Sequence, residues 1–285
     1  MTITIGTPAL AVAATGAKNQ FLYLQDTRDV LYEIALSEAD EKKIVEAKSG
    51  SPIAVADNTL NQLTYDGKSW ITGSLTSYKF TVLPESKLGA QMRNGKPRVY
   101  AQVKDDEIHE YKCTGDDNSW SEGFNFGQAL WGTGIAASAD ILLYQLTTGE
   151  VVDKRYQDGT DDWVDGVYEY KGAVTSTPIA ALSFGDGSHR VFLLTPQNTF
   201  IESKWEKGSK EWTHGPLPTT VKANAGSKLA CFGLRIQPRS INPSIWLYFQ
   251  ENGNQGSISS LTTTDDENWE LNESVVPPSG GKKRS

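Results

Sequence analysis

An arginine followed twelve residues later by a glutamate occurs twice in this chain, as Arg98 with Glu110 and as Arg190 with Glu202. A guanidinium only donates hydrogen bonds and an ionised carboxylate only accepts them, so such a pair offers both halves of what a polyhydroxylated ligand requires. Aromatic residues stand in the units that follow: Tyr156 and Trp163 in the unit after Glu110, and Trp269 in the unit after Glu202. Flat rings of that kind cover the C–H face of a sugar. The same residues also have a plain structural reading. An Arg–Glu pair on adjacent strands can be a cross-strand ion pair worth ~0.2–1 kcal/mol, and Trp70, Trp120, Trp212 and Trp269 can recur because sheets must pack.

The spacing comes from a repeat. A short apolar motif recurs as Leu10-Ala11, Ile53-Ala54, Leu88-Gly89, Ile135-Ala136, Ile179-Ala180 and Leu229-Ala230, at intervals of 43, 35, 47, 44 and 50 residues. Units near 45 residues with several strand patterns and no helical periodicity predict an all-β, six-bladed β-propeller. A second strand per unit opens on Phe21, Arg98, Ile141, Arg190 or Trp246 and ends mostly in Gln. A third carries the acid column Glu33, Glu110, Asp153 and Glu202, with Gln62 in unit two and Ser260 in unit six. Unit two lacks the second strand, so its blade is expected to be shortened, and the neighbouring backbone must re-pair or be solvated.

Three residues past the acid column stand Leu36, Tyr65, Cys113, Tyr156, Trp205 and Thr263. An odd offset along a strand points to the opposite face of the sheet, so one strand serves two clefts. Each cleft would then take Arg and acid from one unit and an aromatic, with the turn tryptophan, from the next.

Composition excludes other classes. The formal net charge of −8, with acidic and basic residues interspersed, leaves no broad basic face for nucleic acid. No apolar run reaches membrane-spanning length, so membrane insertion is not expected. The start around Ala9–Ala14 has no preceding Lys or Arg and does not read as a signal peptide, which suggests a cytoplasmic or non-classically released protein. Cys113 and Cys231 lie far apart with no CxxC or His-rich neighbourhood, so no metal, cofactor or disulfide framework is expected. Residues 1–276 read as one domain and Pro277–Ser285 as a flexible tail.

At Tyr65-Asp66-Gly67-Lys68-Ser69-Trp70-Ile71-Thr72-Gly73, Arg98-Val99-Tyr100-Ala101-Gln102, Ile108-His109-Glu110-Tyr111 and Gly132-Thr133-Gly134-Ile135-Ala136-Ala137 the sequence resembles the fungal fucose-specific lectins. The resemblance runs over about residues 9 to 276. It implies α-L-fucose bound between blades, fucosylated glycans as partners and a homodimer. Carried over, the main site is Arg98, Glu110, Tyr156 and Trp163: the charged pair would hold ring hydroxyls and ring oxygen, and the rings the apolar edge and methyl group. Arg190, Glu202 and Trp269 form a weaker site, because Thr263 replaces its inner aromatic. The remaining clefts lose the arginine. Phe21 stands beside Glu33, Tyr65 and Trp70, and Ile141 beside Asp153, Trp205 and Trp212. Gln62 faces Cys113 and Trp120, and Trp246 and Ser260 face Leu36.

Two other readings compete. A propeller that has largely lost sugar binding could act as a protein-interaction scaffold, since fold does not dictate function. A propeller glycosidase is the weaker rival. Asp158-Gly159 before Trp163 is similar to an Asp-box turn, but with the wrong spacing, and His109, His189 and His214 fall in different columns. No carboxylate pair is placed across a scissile bond, and no enzyme is expected.

Overall fold

The computed structural model describes residues 10–14, 20–25, 31–36, 44–46, 53–56, 58–65, 70–114, 119–234, 243–253, 257–265 and 267–276. The expected tail, Pro277–Ser285, lies outside them. Strands dominate. β1 (Leu10–Ala14), β2 (Gln20–Gln25), β3 (Leu31–Leu36) and β4 (Ile44–Glu46) form an antiparallel meander in chain order. β5 (Ile53–Ala56), β6 (Thr59–Tyr65) and β7 (Trp70–Thr72) form a three-stranded sheet. Two four-stranded meanders follow: β8 (Leu88–Arg93), β9 (Lys96–Gln102), β10 (Glu107–Thr114) and β11 (Ser119–Gln128), then β12 (Ile135–Ser138), β13 (Ile141–Gln145), β14 (Val151–Gln157) and β15 (Asp162–Tyr170). After β16 (Ala180–Ser183), β17 (His189–Leu194), β18 (Phe200–Trp205) and β19 (Thr213–Pro216) pair in order. β20 (Ala230–Leu234), β21 (Ser244–Phe249), β22 (Ile258–Thr263) and β23 (Glu270–Val276) form the last meander.

The described residues fall into two compact units, one within Lys48–Ser183 and Ser209–Trp212, the other within Met1–Ala47, Phe184–Gly208 and Thr213–Ser285. In the first, strand alternation sorts side chains cleanly between two cores. Val99, Ala101, Tyr111 and Cys113 pack with Leu60, Leu75 and Trp120. Tyr100 and Ile108, on the other face of the same sheet, pack with Phe126, Ile135, Leu142, Tyr144 and Trp163. Burying both faces is what the apolar and aromatic second strands anticipate. Cys113 is a buried free thiol, whereas Cys231 is a half-buried one whose surroundings push its pKa up.

The shortened sheet resolves its missing strand by direct pairing. β5 joins β6 in register from Ile53↔Gln62 to Ala56↔Thr59, so the ladder re-forms across the deletion. A 3-10 helix at Ser74–Tyr78 then drops a fully buried Leu75 into the adjoining core. The Trp120 indole N–H donates to Ser74 Oγ at 3.0 Å, which gives that tryptophan a structural partner.

Two of the glutamines that close second strands, Gln102 and Gln145, are staples. Gln102, fully buried, donates from Nε2 to the carbonyls of Asp106 (3.2 Å) and Leu130 (3.1 Å) and accepts from the Gly132 N–H (2.8 Å). Gln145 repeats the pattern one sheet later: Nε2 donates to Gly149 O (2.7 Å) and Val174 O (3.3 Å), and Oε1 accepts from the Thr177 N–H (3.3 Å). Each glutamine therefore ties its own hairpin to the loop entering the next sheet. Gln102→Met keeps the volume but orphans the Gly132 N–H, at an expected cost of about 2 kcal/mol. Chemical denaturation measures it, and an unchanged midpoint would remove the staple from the account.

Candidate functional site

The charged side chains sit on one face of the β8–β11 sheet because of register. Asn94 and Gly95, at φ +49° and +73°, make a two-residue hairpin turn between β8 and β9, the left-handed pair that such a tight connection requires. That turn sets Gln91 opposite Arg98, and β10 sets Lys112 opposite Arg98 and Glu110 opposite Tyr100. Arg93, two residues beyond Gln91, shares the face. Gln91 Nε2 donates to the Tyr100 hydroxyl at 2.7 Å, and that hydroxyl donates to Glu110 Oε1 at 3.3 Å. Burial, with the Glu110 charge adding, pushes the Tyr100 pKa well above its ordinary value and keeps the phenol a donor.

Glu110 itself is 4% exposed and is seated by the outer strand. The β10–β11 ladder shifts register between His109 and Tyr111, and Glu110 Oε2 accepts from the Phe124 N–H at 3.4 Å. A Cβ on Gly123 would lie 2.3 Å from that oxygen. The device recurs. In the next sheet Asp153 Oδ1 accepts from the Tyr168 N–H at 2.8 Å and occupies the space a Gly166 side chain would need. In the three-stranded sheet Gln62 Oε1 accepts from the Leu75 N–H at 3.1 Å, over Gly73. The whole acid column in this unit is thus held by a glycine opposite it and an inward-facing backbone N–H.

The adjoining sheet supplies the rings. Tyr156 of β14 and Trp163 of β15 are cross-strand partners with ring centroids 5.4 Å apart, and the Tyr156 hydroxyl donates to Asp161 in the connecting turn. Burial, with Asp161 contributing, raises the Tyr156 pKa. Arg98, Glu110, Tyr156 and Trp163 line one cavity of about 180 Å³, together with Arg93, Lys112, Gly123, Phe124 and Asp161. All four side chains singled out from the sequence come together there. Trp163 is the most enclosed of the rings, 5% exposed and set edge-on to Tyr100 (5.9 Å) and Phe126 (5.1 Å).

Arg93 is the residue that sequence reasoning missed. Its guanidinium centre lies 3.5 Å from the Tyr156 ring centroid and 4.6 Å from that of Trp163, within cation–π range of both. Its Nη1 is 3.8 Å from Glu110 Oε1, and its Nη2 donates a long bond to Ala139 O at 3.4 Å. Glu110 therefore pairs with Arg93 rather than with its sequence-repeat partner Arg98, which removes the simple cross-strand ion pair as the reason for Arg98. Arg98 Nε, Arg93 Nη1 and Trp163 Nε1 are all buried without a hydrogen-bond acceptor. The signal for Arg93 lay in parity: with Asn94-Gly95 as the turn, it falls on the face of Arg98.

The second predicted set differs. Arg190 is 1% exposed, and its donors are engaged by Glu206 (Nη2–Oε1, 2.6 Å), Glu202 (Nε–Oε1, 3.5 Å) and the His189 carbonyl (3.0 Å). Lys204 also reaches Glu202, at 3.5 Å. Trp269 packs edge-on against Phe192 at 5.8 Å. A ligand there must displace an ion pair. Where Ile141 takes the arginine position, Arg155 from the opposing strand holds Asp153 at 2.7 Å and lies 5.7 Å from the Trp212 ring. The side chains of Phe21, Glu33, Tyr65 and Trp70 lie outside the described residues. The histidines are scattered, with His109 on Glu107 at 3.2 Å and His214 on Ser203 at 2.8 Å. Among the described residues no group of His, Cys, Asp and Glu could hold a metal ion.

Repeated antiparallel meanders of this kind are matched by known structures. The crystal structure of the Aleuria aurantia lectin, described as a six-bladed β-propeller, aligns over 100% of both chains with a TM-score of 0.78 at 25% identity. The SapL1 lectin in complex with α-methyl fucoside aligns over 97% of this chain and 99% of its own, with a TM-score of 0.79 at 23% identity. The fold is thus an all-β six-bladed propeller of the lectin type, its second blade reduced to three strands. A family model described as fungal fucose-specific lectin matches residues 6–279, and the chain belongs to that family. Among relatives, the fucose-specific lectin of Aspergillus fumigatus is 29% identical across 94% of this chain and 95% of its own. That of Aleuria aurantia is 30% identical across 71% and 72%.

Proposed function

We propose that this chain is a lectin that binds fucosylated glycans in the cavity of Arg93, Arg98, Glu110 and Tyr156 and releases them chemically unchanged. The observation that carries this reading is convergence: a guanidinium with an unpartnered buried donor, a fixed carboxylate and a tyrosine face, from two sheets, line one monosaccharide-sized space. Relatives named as fucose-specific lectins support the choice of sugar. In this reading residues 1–276 are one lectin domain with fewer working clefts than it has blades. Arg190, Glu202 and Trp269 would be a second, weaker cleft, limited by the Glu206 ion pair. With so few sites per chain, cross-linking of cells relies on a second copy in a homodimer.

Titration with methyl α-L-fucopyranoside, followed by tryptophan fluorescence, tests the proposal. A saturable change is expected, because Trp163 borders the cavity, and L-fucose should compete where D-galactose does not. A flat titration backed by a flat calorimetric trace would overturn it.

A further inference from the structure

The cavity carries more positive charge and more unused donors than a neutral sugar demands. Three cationic side chains, Arg93, Arg98 and Lys112, line it against two carboxylates, Glu110 and Asp161. Both carboxylates are already served. Glu110 receives the Tyr100 hydroxyl and the Phe124 N–H and faces Arg93, and Asp161 receives the Tyr156 hydroxyl. Among the residues that line the cavity, the buried atoms without a hydrogen bond are donors: Arg98 Nε, Trp163 Nε1 and Arg93 Nη1, the last facing Glu110 at 3.8 Å. Buried donors left without acceptors are costly, and an acceptor-only group relieves them better than a hydroxyl that must also donate.

Arg93 adds a second argument. Its guanidinium lies over the Tyr156 ring, where the apolar edge of a sugar is expected to stack, and it is held there by the ring faces and Glu110. An incoming ligand meets charge at that wall instead of bare carbon. Resting on the lectin reading, we propose that this cleft selects fucosylated glycans bearing an oxyanion, carried either as a sulfate ester on the fucose or as the carboxylate of an adjoining acidic sugar. Arg93 is the residue that determines the preference. The two guanidiniums would bind the anion through charge-assisted hydrogen bonds.

Isothermal titration of the full chain with methyl α-L-fucopyranoside, its 4-O-sulfate ester, Lewis x trisaccharide and sialyl Lewis x tests this directly. At least one anionic ligand should bind about ten-fold tighter than its neutral counterpart at low salt, with the advantage shrinking as salt is raised. An advantage confined to the sulfate ester places the oxyanion on the fucose, and one confined to sialyl Lewis x places it on the neighbour. In Arg93→Met, which retains bulk over Tyr156, the anionic-to-neutral ratio should fall to near one, while Arg93→Lys should retain part of it. Circular dichroism checks that both variants are folded, and the wild-type ratio stands without them. Neutral ligands binding as tightly as anionic ones, or a ratio that survives Arg93→Met, overturns the inference and leaves the lectin reading intact. Failure of all four ligands overturns both.

Discussion

Arg98→Ala lowers affinity for methyl α-L-fucopyranoside by about a hundred-fold or more, the scale of losing one partner of a desolvated charged hydrogen bond. The fold should tolerate it. Arg98 Nε has no acceptor within the protein, and the guanidinium beside Glu110 belongs to Arg93, so truncation breaks no ion pair at Arg98. An arginine kept for packing or sheet pairing would behave in the opposite way, changing the denaturation midpoint and leaving the isotherm alone. Unaltered binding with altered stability would therefore refute the site.

Gly123→Ala is expected to damage binding and stability together. The added methyl would stand 2.3 Å from Glu110 Oε2, closer than non-bonded atoms come, and the obstruction is a buried carboxylate held on three sides. Either Glu110 rotates out of the cavity or the β11 backbone moves away. Overpacking of this kind costs about 1–3 kcal/mol, and the displaced carboxylate should lower fucoside affinity by about ten-fold or more. Gly95→Ala, at φ +73° with open space around its Cβ, supplies the contrast: backbone strain in a turn with no obstruction of Glu110. Equal ligand affinity in Gly123→Ala and wild type would mean that Glu110 is not seated as described.

The blade count, the shortened second blade and the opposite-facing offsets were legible in the chain because they depend on periodicity alone. Arg98, Glu110, Tyr156 and Trp163 followed from counting along strands, and a period of two admits only two outcomes per residue. What stayed hidden depends on loops and on depth. Arg93 enters the cavity only once the Asn94-Gly95 connection is counted as two residues, and its reach across to Tyr156 is a property of a long flexible side chain. The repeated glutamines were visible as a column, but their role as staples needs the next loop in place. Arg190 looked equivalent to Arg98 by alignment. Glu206, four residues past the acid column, makes the difference by supplying a carboxylate that Arg98 has no counterpart for. A further basic column, Lys112, Arg155 and Lys204, lies two residues beyond the acids, and in the fourth blade its arginine serves Asp153.

Strand β14 turns Asp153 toward Tyr168 and Gly166 and turns Tyr156, three positions on, toward Arg93. A duplicated repeat therefore never inherits a whole receptor; it inherits the polar half of one and the aromatic half of its neighbour. Selection for a new glycan at one position can act through either of two consecutive copies, and the decay of one copy impoverishes two addresses in different ways. A ring built so can lose valency unevenly while every segment still folds.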